Sequence, residues 1–180
     1  YSIEIPFQNN ITIEATKEKH SIFSVTYQDG ELEEIQEKAF NMGIKFLDDL
    51  VEEQENQTVI KLKKFYFDKG QSIITPEIAQ ELDKVVDVMT RFPQLQLRVE
   101  SHTDSRGGSS ANFTLSQKRA DAIKKYLLQE DVPAGSILYS IGYGEEKLLN
   151  GCKNGVFCLD MLHSKNERSL IVVLNYNLLY

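Results

Sequence analysis

Residues 95–127, LQLRVESHTDSRGGSSANFTLSQKRADAIKKYL, constrain the fold of this chain more than any other stretch. Leu95, Leu97 and Val99 alternate with polar neighbours, the two-residue period of a strand with one buried face. The alternation breaks at the polar turn His102-Thr103-Asp104-Ser105-Arg106-Gly107, and a glycine-rich loop then leads into a helix that carries Arg119. Asp104 and Arg119 lie fifteen positions apart. They converge if one sits where the strand ends and the other about two turns into the helix. A carboxylate and a guanidinium held side by side suit a ligand with both an ammonium and a carboxylate, such as an amino acid or a peptide end.

The flanking segments predict the layers around this unit. VIKLKKFYF, starting at Val59, alternates and is rich in β formers, so it reads as a strand. DKGQSIITPE then turns the chain, with Thr75 as N-cap and Pro76 at the first helical position. Ile78, Leu82, Val85, Val86 and Met89 mark one face of a helix that stops before Pro93. The second helix is expected to bury Leu115, Ile123, Tyr126 and Leu127; VPAGSILYSIGYG returns as a third strand and RSLIVVLNY as a last one. The order βαβα followed by two strands predicts an α+β sandwich, with helices on one face of a mixed sheet.

Residues 1–28 contain three short alternating segments, Ser2–Pro6, Ile11–Ala15 and Ser21–Tyr27, divided by turn signals. They read as the last strands of a truncated β module, because the chain starts at Tyr1 inside a strand pattern without Met or signal sequence. Between residues 29 and 57, Leu32, Ile35, Ala39, Met42, Phe46 and Leu50 fall at helical spacings, but Gly43 interrupts them and KFLDDLV suits a strand equally. The acidic run VEEQENQ reads as a linker, which divides the chain into a β-rich segment at 1–57 and a larger domain at 58–180.

Hydrophobic and charged shares of 41% and 26% are ordinary for a globular protein. A net charge of −7 argues against non-specific nucleic-acid binding, which depends on neutralising phosphates. No apolar run is long enough for a membrane-spanning helix, and the repeated segments of a β-barrel are not found. His20, His102 and His163 are scattered, and neither HExxH nor GxSxG occurs, so no catalytic set, metal site or cofactor site stands out. Cys152 and Cys158, in NGCKNGVFCLDMLH, stand six positions apart. That spacing suits a small disulfide loop better than redox-active CxxC; free thiols, or a metal shared with His163, are the alternatives. A disulfide would place the protein outside the cytoplasm.

Taken in order, FYFD followed by Pro76-Glu77, RVESHTDSRG, LSQKRADAIKKYL, IGYGEEK, and C-x5-C followed by H-x2-N-x-R resemble the OmpA-like peptidoglycan-binding domain over residues 58–176. The closing stretch is like that of Bacteroidetes-type outer-membrane proteins. The resemblance implies non-catalytic binding of peptidoglycan through meso-diaminopimelate in its stem peptide. Asp104 would accept hydrogen bonds from the ammonium and Arg119 would grip a carboxylate, with Thr103, Ser105, Asn112, Leu115 and Arg168 contributing to the site. It also implies a periplasmic location, no cofactor, and a tether between the cell wall and the outer membrane or an outer-membrane complex.

Four positions depart from that pattern. Ser101 stands for the usual glycine, Ala111 for an aromatic, Gly70 for an acidic or amide residue and Glu167 for an arginine. Gly70, Ala111 and Glu167 motivate an alternative, a protein-interaction scaffold whose wall-binding site is degenerate. Around the centre, Asn112 either caps the helix or touches ligand, His102 is a hydrogen-bonded structural group, Asp68 fixes the first loop, and Arg106 is an exposed loop residue.

Overall fold

A computed structural model describes residues 10–15, 23–28 and 47–179. β1 (Asn10–Ala15) and β2 (Phe23–Gln28) pair antiparallel, Asn10 opposite Gln28, as the alternation in this region predicts. The expected strand Ser2–Pro6 and the segment 29–46 lie outside the described residues.

The larger unit is a mixed five-stranded sheet in the order β3-β4-β7-β5-β6. β3 (Val51–Gln54) and β4 (Gln57–Ile60) form an antiparallel hairpin, preceded by a 3-10 turn at Leu47–Asp49. The run read as a linker is therefore mostly this hairpin. Its turn residues Glu55 and Asn56 have φ of 52° and 60°, the left-handed pair that a two-residue turn needs to match strand twist. The first predicted strand is also shorter than its alternation suggests, because strand pairing ends at Ile60. Beyond it, backbone groups find partners off the sheet: the Lys63 N–H donates to Glu81 Oε2 at 2.8 Å, and the Asp68 carbonyl accepts from Arg119 at 3.2 Å.

α1 (Pro76–Arg91) starts as expected, with Thr75 Oγ1 accepting the Ile78 N–H and Pro76 in the first turn. Ile78, Leu82, Val85, Val88 and Met89 are buried, while Val86 is only half-buried at the edge of the core. β5 (Leu97–His102) leads into α2 (Ser109–Gln129), and β6 (Ile137–Gly144) returns parallel to β5. A short α3 (Asp160–Ser164) precedes β7 (Arg168–Val173), which runs antiparallel between β4 and β5. The α+β architecture predicted from the sequence is thus observed. None of the described helices is long and apolar enough to cross a membrane.

Leu97 and Val99 of β5 join Ile171 and Val173 of β7 and the buried sides of α1 and α2 in the main core. Burying each such side chain contributes about 1.5–3 kcal/mol. Val59, Leu170 and Val172 form a small cluster on the reverse face. Arg98, Glu100 and His102 share that face by strand parity, and Glu100 and His102 are fully buried. Arg98 Nε approaches Glu100 Oε1 at 2.7 Å without hydrogen-bond alignment, and Glu100 Oε2 stands 3.5 Å from His102 Nε2.

Glycine decides how closely α2 lies on β6. A Cβ at Gly142 would stand 2.1 Å from the Gln117 backbone nitrogen, and one at Gly144 (φ +53°) 2.9 Å from that of Phe113. With no Cβ in the way, side chains of α2 reach the strand backbone. Ser116 Oγ accepts the Gly144 N–H at 2.8 Å, and Gln117 Oε1 accepts the Gly142 N–H at 2.9 Å. The Gly144 carbonyl in turn accepts the Thr103 N–H at 2.9 Å, which sets the start of the polar turn.

Candidate functional site

Where β5 ends, Thr103, Asp104 and Ser105 are all buried, although they are polar and follow a strand. Asp104 shapes its own turn. Its Oδ1 accepts the backbone N–H of Arg106 at 2.8 Å, an Asx turn, and its Oδ2 accepts Arg106 Nε at 2.6 Å. The same guanidinium reaches Asp160 Oδ1 of α3 at 2.7 Å. The hydrogen bond to Asp104 raises the pKa of Arg106, which stays charged.

Arg119 projects from the middle of α2 and is 3% exposed. Its Nε donates to the Gln71 carbonyl at 2.9 Å and its Nη2 to that of Asp68 at 3.2 Å, while the guanidinium carbon lies 5.1 Å above the Phe67 ring. Two of its five N–H donors are thus used by the first loop, which leaves the others for a ligand. Burial lowers its pKa, opposed by the charges of Glu167 and Asp104.

Asp104 and Arg119 do converge, but through a shared cavity. Each is bonded to its own protein partners rather than to the other. The cavity has a volume of about 450 Å³, and Thr103, Asp104, Asn112, Leu115 and Arg119 all line it. Phe67, Lys69, Gly70, Arg106, Ser164 and Glu167 complete its wall. The Thr103 hydroxyl is buried there without a hydrogen-bond partner. Three cationic and two anionic side chains therefore surround a space suited in size to a small zwitterion.

Asn112 does not cap α2; Gly108 holds that position. Its Nδ2 donates instead to the Asp104 carbonyl at 3.3 Å and to Glu145 Oε2 at 2.6 Å, bracing the turn. Ser105 faces a neighbouring cavity of about 500 Å³, and its Oγ donates to the Cys152 carbonyl at 2.5 Å. Cys152 and Cys158 are joined by a disulfide, with Cα atoms 5.8 Å apart. The first loop is fixed by the backbone of Asp68, whose carbonyl accepts the Gln71 N–H at 2.9 Å.

Arg168 needs correction. It does not line the cavity but is buried on the reverse face of the sheet, opposite His102 in the ladder. There it bonds to Glu55 of the hairpin turn and to the carbonyls of Asn166 and Lys147, each at 3.0 Å. His102 lies on that face too. It is stacked on Tyr143 with ring centroids 5.1 Å apart, and neither ring nitrogen has an aligned hydrogen bond. Sequence reasoning missed Phe67 and Lys69 as wall residues and treated Arg106 as plain loop. The Asp-x-Arg spacing, which favours an Asx turn closed by an ion pair, was the available signal for Arg106.

Comparison with known proteins gives a consistent picture. Residues 66–156 match the OmpA family. The chain is 31% identical to the peptidoglycan-associated lipoprotein of Buchnera aphidicola over 140 residues, 76% of this chain and 77% of that protein. It is 31% identical to the lipoprotein of the same name from Brucella melitensis over 110 residues, 61% of this chain and 62% of the relative. It thus spans less than two thirds of the latter's length. Among solved structures, the peptidoglycan-associated lipoprotein from Burkholderia pseudomallei superposes with a TM-score of 0.55 at 24% identity, over 63% of this chain and 91% of that one. At that identity the likeness speaks for the fold.

Proposed function

The chain belongs to the OmpA family, and from that premise we propose that it is a non-catalytic module that binds peptidoglycan. The ligand group is the free end of a diaminopimelate residue in the stem peptide, and binding tethers the outer membrane, or a complex in it, to the cell wall. The observation that carries this reading is the convergence on one cavity of a buried unpartnered Thr103 hydroxyl, the Asp104 carboxylate and the unused N–H groups of Arg119. A ligand ammonium takes the place of the Arg106 guanidinium at Asp104. Its carboxylate accepts from Arg119 and Thr103 in a low-dielectric setting, where charge-assisted contacts are strong. The names of the relatives point the same way, and the Cys152–Cys158 disulfide suits an oxidising compartment such as the periplasm.

Asp104→Ala and Arg119→Ala are expected to abolish retention on purified peptidoglycan. Losing one partner of such a contact typically costs about 2–5 kcal/mol, or roughly thirtyfold and more in affinity. Arg119→Lys keeps the charge but loses the planar fork, so it is expected to bind weakly while folding normally. Undiminished pull-down by all three variants would sink the proposal. If a diaminopimelate peptide at millimolar concentration then left the amide signals around Asp104 unshifted, the scaffold alternative would take its place.

A further inference from the structure

Beside the cavity lies a second, wider one of about 840 Å³. The first loop contributes Gly70, Gln71 and Ser72 to it, and α2 contributes Ala111, Leu115 and Lys118. Gly70 and Leu115 also belong to the cavity that holds Asp104 and Arg119, so the two spaces share a wall. Helix geometry explains the arrangement. Positions 111, 115 and 118 recur at spacings of four and three and make one stripe, while 112, 115 and 119 make the adjacent one. Leu115 lies on both, and a single groove follows the helix past it.

Two features favour peptide in this groove. It is open, since Ala111 places only a methyl group in it, and a Cβ at Gly70 or Gly108 would meet nothing within 4 Å. Its charge is also opposite to that of the molecule. Lys118 is exposed with no ion pair among the described residues, in a chain of net charge −7. Loop amides, hydroxyls and a small apolar floor match a short extended segment with small side chains.

We propose that this groove is a second subsite, occupied by the part of the stem peptide that continues from the pocket-bound diamino acid, with a free peptide carboxylate at Lys118. The inference rests on the reading of the first cavity given above. Ala111 is then a specificity-determining position, because a larger side chain there would close the groove without reaching Asp104 or Arg119.

The test compares two ligands by calorimetric titration of the intact chain: diaminopimelate blocked at one end as the N-acetyl amide, and a stem tetrapeptide containing diaminopimelate and ending in a free carboxylate. The wild type is expected to bind the tetrapeptide about tenfold more tightly, the effect of one buried small side chain and a few added hydrogen bonds. Ala111→Trp is expected to remove that advantage and Lys118→Glu to reduce it several-fold, both leaving the blocked amino acid bound as before. Equal affinity of the two ligands for the wild type, or an advantage that survives both substitutions, overturns the second subsite alone. If neither ligand binds the wild type, the parent reading and this one fall together.

Discussion

Asp104 is occupied before any ligand arrives, because the Arg106 main chain and side chain both donate to it. The Arg106 side chain is half-exposed, so it is rehydrated on leaving, while the buried Asp104 carboxylate exchanges one charge-assisted donor for another. A ligand ammonium therefore displaces the guanidinium at modest cost. Arg106→Ala is expected to tighten diaminopimelate binding several-fold. Weaker binding in a titration would show instead that Arg106 grips the ligand. At this scale the sequence made Asp104 and Arg119 legible, since a strand end and the next helix bring them together. The family resemblance misled at Arg168, and the local pattern offered nothing to correct it. Leu170, Ile171, Val172 and Val173 are all apolar and all buried, so periodicity does not say which parity of β7 faces the helices, and Arg168 falls on the parity that faces away.

At the scale of elements, the close seat of α2 on β6 rests on Gly142. An added methyl 2.1 Å from a helix backbone nitrogen is not relieved by rotating a side chain; the helix must lift, taking Ser116, Arg119 and Asn112 with it. Gly142→Ala is expected to cost about 3 kcal/mol or more, at or above the upper end for overpacking. Gly108→Ala, where an added Cβ meets nothing within 4 Å, is expected to change stability by far less. Urea unfolding of the two variants checks this, and similar midpoints would mean that the Gly142 contact does not set the seat of the helix. The β3–β4 hairpin escaped the sequence reading because Glu55-Asn56 lacks the glycine that usually marks such a turn, and its acidic first strand, VEEQ, resembles a solvated linker.

For the whole molecule, the reverse face of the sheet links stability to pH. Burial lowers the pKa of His102 below its ordinary 6.5, Glu100 opposing and Arg168 assisting. The unfolded chain therefore takes up a proton below pH 6.5 that the folded one resists, and stability falls as pH drops through that range. Burial pushes the Glu100 carboxyl upward, but His102, Arg98 and Lys147 outweigh it and leave its pKa below the ordinary 4.5. Its contribution is present above pH 4.5 and is lost on further acidification. Unfolding free energies measured from pH 7.5 to 4 should decline on acidification through both ranges. A profile flat from pH 7.5 to 5 would contradict the assigned state of His102.

The sequence by itself determined the order of α1, β5, α2, β6 and β7, the N-cap of α1, and the strand–turn–helix unit that holds Asp104 and Arg119. Local periodicity and capping chemistry write these into neighbouring residues. Tertiary structure alone decided that those two side chains face one cavity without bonding to each other, and that Arg168 serves the hairpin behind the sheet. These outcomes depend on partners 48 to 113 residues apart, such as Arg119 with Gln71 and Arg168 with Glu55, and the pattern of one segment carries no record of what packs against it.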